Sequence, residues 1–208
     1  MRWVLQTRPT RTDGVSGVSK EAETEEAAAT ASVQSSSTTA AVLGKQTELI
    51  AVCGFPGVGK STVSEKLRDD LDAKRLRTDA IRKELFDDPT YSTEESRTVY
   101  RTAFDRTRET LEAGQTVVFD ASFANKRHRD VARQVAVECN VPFRLLKVDC
   151  EESEVVRRIE KREDISDADV DVYYHIREQF ETIEQDHFRI NNSDSWEQTA
   201  RQLETLIA

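Results

Sequence analysis

Cysteine is scarce in this chain of 208 residues, and the three that occur, Cys53, Cys139 and Cys150, show no C-x-x-C spacing. An odd, scattered set excludes a disulfide framework and points to a reducing compartment, the cytoplasm. The three histidines, His128, His175 and His187, lack metal-ligand spacing, which leaves a zinc site without support. Long apolar runs are missing too. Met1-Arg2-Trp3-Val4-Leu5 is too short for a signal peptide or a membrane span, and Arg8-Pro9-Thr10-Arg11 interrupts it at once, so no membrane association is expected. Lysine is sparse: only nine of the thirty basic residues are Lys, and the net charge is −9. Such a surface repels nucleic acid and anionic membrane at long range unless basic residues are gathered locally. An acidic excess with little lysine also fits adaptation to high salt, where screening weakens that exclusion. Nucleic acid therefore stays a possible partner that charge does not indicate.

What is present falls into two unequal parts. Residues 1–46 are dominated over Lys20 to Ala41 by Ala, Ser, Thr and Glu, without sustained apolar periodicity, and are expected to be a disordered low-complexity extension. It is either a dispensable extension or a docking tail. Its five acidic and five basic residues cancel, so residues 47–208 carry all the net charge. Those residues are enough for one well-buried core.

Gly54-Phe55-Pro56-Gly57-Val58-Gly59-Lys60-Ser61 matches G-x-x-x-x-G-K-[ST] at every fixed position, between the strand-like Leu49-Ile50-Ala51-Val52-Cys53 and the helix-like run from Thr62. Backbone amides of such a loop converge on a polyphosphate, and glycines let the chain curl close to it. The helix beginning near Lys60 adds unpaired amides and the positive end of its dipole. The Lys60 ammonium reaches β and γ oxygens, and the Ser61 hydroxyl enters the shell of Mg²⁺. Residues 54 and 56–62, with Pro56, Val58 and Thr62 among them, are the expected nucleotide contacts. A glycine-rich turn that binds nothing is excluded by this context on both sides.

Strands at about 48–53, 116–120 and 143–149 alternate with helices at about 60–73, 93–113, 126–140 and 151–162. That alternation implies an α/β fold in which a parallel sheet is covered on both faces. Short strands near Leu76 and at Phe188-Arg189-Ile190 bring the set to five. Ser92-Thr93-Glu94-Glu95 reads as a capping box, followed by a helix that turns Val99, Tyr100, Ala103, Phe104 and Leu111 inward and ends at Gly114. Its Arg97, Arg101 and Arg108 form either a solvated face or, less simply, an acceptor-binding stripe. Asp194 or Ser195 caps the final helix.

Phosphoryl transfer also needs a metal, positive charge on the migrating group and a group that orients the attacking oxygen. Asp79, at the end of the second strand, either takes or positions an acceptor proton, with Arg82 on the same helical face, or caps the helix with a local ion pair. Asp120 ends the third strand, where a carboxylate can bind the metal's water shell beside Ser61. Arg127 and Arg129 either face the cleft or cover the following helix. Arg158 and Arg162 either close over the phosphates or complement a helix C-terminus.

Together, Gly54 to Ser61, Thr78-Asp79-Ala80-Ile81-Arg82-Lys83, Val118-Phe119-Asp120-Ala121-Ser122-Phe123 and Arg158-x-x-x-Arg162 resemble the small P-loop kinases related to polynucleotide 5′-kinase, over nearly all of 47–208. The chain is most similar to the AAA-type ATP-binding domains among them. The resemblance implies a three-layer P-loop NTPase fold with a five-stranded parallel sheet in order 2-3-1-4-5 and a helical lid. It further implies ATP and Mg²⁺ as cofactors, Asp79 as the acceptor-activating carboxylate, Arg82 as its acceptor-binding partner and the arginines at 158 and 162 as the lid. The expected activity is transfer of the ATP γ-phosphate to a hydroxyl of a small molecule or a nucleic-acid 5′ end. The alternative is an ATP-driven switch acting on a protein partner. Against a guanine-nucleotide switch, Asn125-Lys126-Arg127-His128 fails N-K-x-D at its last residue, and no D-x-x-G follows the third strand.

Overall fold

The structure, a computed structural model, describes residues 46–161 and 170–207. The expected disordered extension, apart from Gln46, lies outside the described residues, as does Arg162.

Five strands build one parallel sheet: β1 (Leu49–Cys53), β2 (Lys74–Arg77), β3 (Val117–Asp120), β4 (Phe143–Asp149) and β5 (Phe188–Asn191). Their order is β2-β3-β1-β4-β5, as expected. Between them run α1 (Lys60–Leu71), α2 (Thr78–Leu85), α3 (Thr93–Glu112), α4 (Lys126–Glu138), α5 (Glu152–Glu160), α6 (Val170–Gln179) and α7 (Trp196–Ile207). The unbroken apolar run of β1 is the mark of a strand buried on both faces, and all five residues are inaccessible to solvent. Their side chains alternate between two cores. Leu49, Ala51 and Cys53 pack with Phe119, Tyr100, Phe104 and Ala132, while Ile50 and Val52 pack with Val63, Leu67, Val148 and Leu203.

Local chemistry sets the ends. The Ser92 hydroxyl accepts the Glu95 amide at the start of α3, and Gly114 follows its end with φ +78°. Asn125 accepts the Arg127 amide at the start of α4. The Ser195 carbonyl accepts the Gln198 and Thr199 amides, which makes Ser195 rather than Asp194 the residue at the start of α7. Helix α6 has no counterpart among the expected elements, because only Tyr173 of its ten residues is buried and its amphipathic signature is weak.

Parallel register aligns the carboxyl ends of the strands. Asp120 sits opposite both Val52 and Arg77, and Asp149 sits opposite Asn191. The residues just beyond these ends therefore share one rim, where open α/β sheets place their ligand sites.

Candidate active site

The loop after β1 can hold its shape only with glycine at two critical points. At Gly54, φ is +142° and a Cβ would lie 2.5 Å from the Val148 carbonyl oxygen. At Gly59, φ is +94° and a Cβ would overlap the side-chain amide of Asn192. Asn192 is buried just past β5, and its Nδ2 donates to the Val58 carbonyl at 2.8 Å. Its Oδ1 accepts the Thr199 hydroxyl at 2.9 Å, and its carbonyl accepts Arg158 Nη2 at 2.9 Å. Sequence reasoning missed Asn192, which sits 134 residues from its loop partner and carries no local motif. Helix α1 begins at Lys60 without a side-chain cap, so its first amides open toward the loop. Lys60 Nζ donates to the Phe55 carbonyl at 2.8 Å, folding the ammonium over the cradle.

Below the loop, Asp120 is almost fully buried at 5% exposure, and its charge is matched on the spot. Its Oδ2 accepts Ser64 Oγ at 2.8 Å and Arg75 Nη2 at 2.9 Å. Arg77 spans the gap between the two residues expected to bind metal, with Nε 3.9 Å from Asp120 Oδ2 and Nη2 3.5 Å from Ser61 Oγ. The Nε atoms of Arg75 and Arg77 are buried without hydrogen-bond partners. These arginines were not singled out in the sequence, although Lys74-Arg75-Leu76-Arg77 alternates so that 75 and 77 share one strand face. One hydroxyl and one carboxylate, both hard oxygen donors, suit Mg²⁺, which takes its remaining ligands from phosphate and water. Among the described residues no group of three or more acidic, His or Cys side chains could hold a metal by itself.

On the facing wall, Asp79 is exposed in the first turn of α2, whose cap position is Arg77, so Asp79 is not the N-cap. Arg82 does not pair with it. The Arg82 guanidinium is buried, with Nη1 donating to Glu95 Oε2 at 3.2 Å and Nη2 to Ser96 Oγ at 3.1 Å. The Tyr91 ring stands 4.7 Å from its charged carbon. Hydrogen bonds from the Thr90 amide, then the Thr90 hydroxyl and the Tyr91 amide, hold the Glu95 carboxyl below its ordinary range, with Arg82 adding to the effect.

Arg158 reaches the loop's support, donating to Glu154 Oε1 at 2.7 Å as well as to Asn192. Arg129 does not face the cleft. It is 1% exposed, donates to the carbonyls of Phe123, Ala124, Glu181 and Thr182, and ties α4 to the chain before β5. Arg127 is exposed, and Arg97 and Arg108 form surface ion pairs outside the cleft. Burial pushes the Cys53 thiol up to about 12.

Residues of the loop, Arg77, Asp79, Arg82, Asp120, Arg158 and Asn192 line a single cleft of about 1010 Å³, bordered by α6 through His175 and Gln179. A sheet ordered 2-3-1-4-5 whose glycine loop opens into such a cleft defines the P-loop kinase class. The model of a family described as an AAA domain matches residues 49–185, more than half of the chain, and the chain belongs to that family of P-loop kinases. Among solved structures, the APS kinase of Mycobacterium tuberculosis in complex with AMPPNP and APS is 19% identical, with TM-score 0.60, over 77% of this chain and 96% of that one. A sugar kinase from Janibacter sp. is 20% identical, with TM-score 0.61, over 76% and 93%. A gluconokinase from Sinorhizobium meliloti is 17% identical, with TM-score 0.57, over 77% and 93%. These likenesses concern the fold. No curated protein matches the chain. Among the described residues no helix is long and apolar enough to cross a membrane.

Proposed function

We propose that this protein is an ATP-dependent kinase that transfers the γ-phosphate to an alcohol hydroxyl. The observation that carries the reading is an exposed carboxylate, Asp79, lining the same cleft as the glycine loop, a placement with no purpose in simple nucleotide binding. The solved APS kinase holds AMPPNP and APS, which supports ATP and a small acceptor here. Adenine is further favoured because Asn125-Lys126-Arg127-His128 lacks the final Asp of the guanine signature.

In this reading the amides of residues 54–62 cradle the phosphates, and Lys60 exchanges the Phe55 carbonyl for β and γ oxygens. Ser61 and Asp120 would hold Mg²⁺, which supplies charge neutralisation for the phosphates. Asp79 accepts the proton of the acceptor hydroxyl as its oxygen bonds to the γ-phosphorus. The bond from that phosphorus to the bridging oxygen breaks, and ADP leaves. Arg158, with Arg162 from beyond the described residues, stabilises charge on the migrating group. Arg82 acts through Glu95 and Ser96 to shape the acceptor wall.

The test is transfer of label from γ-labelled ATP with Mg²⁺, at low and high salt, to 5′-hydroxyl oligonucleotides, nucleosides, sugars and aminoglycosides. Label on one acceptor class supports the kinase. ATP hydrolysis that a protein partner stimulates, with no acceptor labelled, overturns it in favour of the switch.

A further inference from the structure

The wall of the cleft around Asp79 has an unusual charge balance. Its one buried cation, Arg82, is spent inside the protein: one arm of the guanidinium meets Glu95 and the other meets Ser96. Glu95 is itself locked by the Thr90 amide and hydroxyl and the Tyr91 amide, at 2.7 to 3.0 Å, so it cannot swing away without breaking several bonds. Its carboxyl is held below the ordinary range and stays charged at neutral pH. Arg82 and Glu95 cancel, and Asp79 leaves the wall with a net negative charge. The other cations lining the cleft are Lys60 on the loop, Arg77 by Ser61 and Asp120, Arg158 by Asn192, and Arg157 and Lys161 on and just after α5. Tyr91, 49% exposed and lining the cleft, presents an aromatic ring beside this wall.

We propose that the acceptor is an uncharged or cationic hydroxyl compound with a ring face that packs on Tyr91, and that the Arg82–Glu95 pair excludes anionic acceptors. An incoming carboxylate or phosphate would find Arg82 already neutralised by Glu95 and the Asp79 carboxylate lining the same cleft. It would lose the charge-assisted bond that a free guanidinium offers, and like charges would repel it. A neutral ring with hydroxyls meets no such penalty, and a cationic one is attracted by Asp79. Glu95 is thus a specificity-determining residue that acts through Arg82. This inference rests on the kinase reading and narrows it.

The experiment uses the full chain with ATP and Mg²⁺ and matched acceptor pairs: glucose against gluconate, cytidine against cytidine 3′-monophosphate, and kanamycin as the cationic member. Label transfer gives kcat/KM for each. The expected result is a preference of about tenfold or more for the uncharged or cationic member, the size of one lost charge-assisted bond. Glu95→Gln, checked for folding by thermal unfolding, should shrink that preference by lowering KM for the anionic member. Preference for the anionic member in the wild-type protein overturns this inference and leaves the kinase reading standing; the wild-type pairs decide it even where the variant fails to fold. No label on any member overturns the kinase reading and this inference together.

Discussion

Truncating Asn192 should unsettle the glycine loop from behind, and the size of the effect follows from its bonds. Asn192→Ala removes a buried donor from the Val58 carbonyl and an acceptor from the Thr199 hydroxyl. Thr199 Oγ1 keeps a weaker alternative in the Asn191 carbonyl at 3.4 Å, whereas the Val58 carbonyl loses its side-chain donor. One ordinary buried hydrogen bond and one stranded buried acceptor together cost about 2–4 kcal/mol. For a domain of this size that is roughly 6–12 °C in Tm. The same contact couples to Gly59. In the wild-type protein Gly59→Ala suffers both its left-handed φ of +94° and overlap with the Asn192 amide. With Asn192 truncated, only the backbone strain remains, about 1–2 kcal/mol. A double-mutant cycle by urea unfolding should therefore show a coupling of about 1 kcal/mol or more, with m unchanged. Affinity for ADP, measured by calorimetry, should fall about tenfold in Asn192→Ala as the cradle loses its preorganisation. Additive effects within about 0.5 kcal/mol and an unaltered ADP affinity would refute this account of the loop.

Other consequences are independent of the loop. His128 stacks on Tyr100 at 3.6 Å, and burial, aided by Arg127, lowers its pKa from 6.5 to about 4. The unfolded chain then binds the proton more readily, so this contribution is complete above pH 6.5 and is lost as pH falls toward 4. It amounts to about 2 kcal/mol after allowance for partial exposure; urea titrations should show that slope in the wild-type protein and its loss in His128→Asn. Arg129→Ala strands the carbonyls of Phe123, Glu181 and Thr182 around a cavity, while Ala124 keeps the Glu181 amide, and should destabilise the fold by about 3 kcal/mol or more, seen as an early urea midpoint. Cys53, buried with its thiol pushed up to about 12, should resist alkylation in the native protein while Cys139 and Cys150, both partly accessible, react first; mass spectrometry of brief iodoacetamide treatment would show the order.

The sheet and the loop were legible because their signals are local. The apolar run of β1, the glycine loop and the capped start of α3 each declare themselves within a few residues, and β2 was found through Leu76 despite three basic neighbours. What stayed hidden depends on contacts between distant residues. Arg82 shares a helical face with Asp79, yet it pairs with Glu95, because packing of α3 against α2 supplies a better-held carboxylate. Arg129 was placed either in the cleft or over a helix. It is in fact internal, since the carbonyls that receive it belong to loops that only the folded chain brings together. Asn192 is hidden for the same reason, since its partner lies on the loop and nothing in its own segment marks it, whereas Arg77 has only the strand alternation with Arg75 as a local sign, which does not name Ser61 and Asp120 as its partners.

The central claim is that Asp79 serves the acceptor and not the nucleotide. Single-turnover transfer from γ-labelled ATP, run beside ATP binding by calorimetry for the wild-type protein and Asp79→Asn, tests it directly. The account predicts ATP affinity within about twofold of wild type and a transfer rate lower by about a hundredfold or more, the scale of a lost general base. Transfer at the wild-type rate in Asp79→Asn would contradict it.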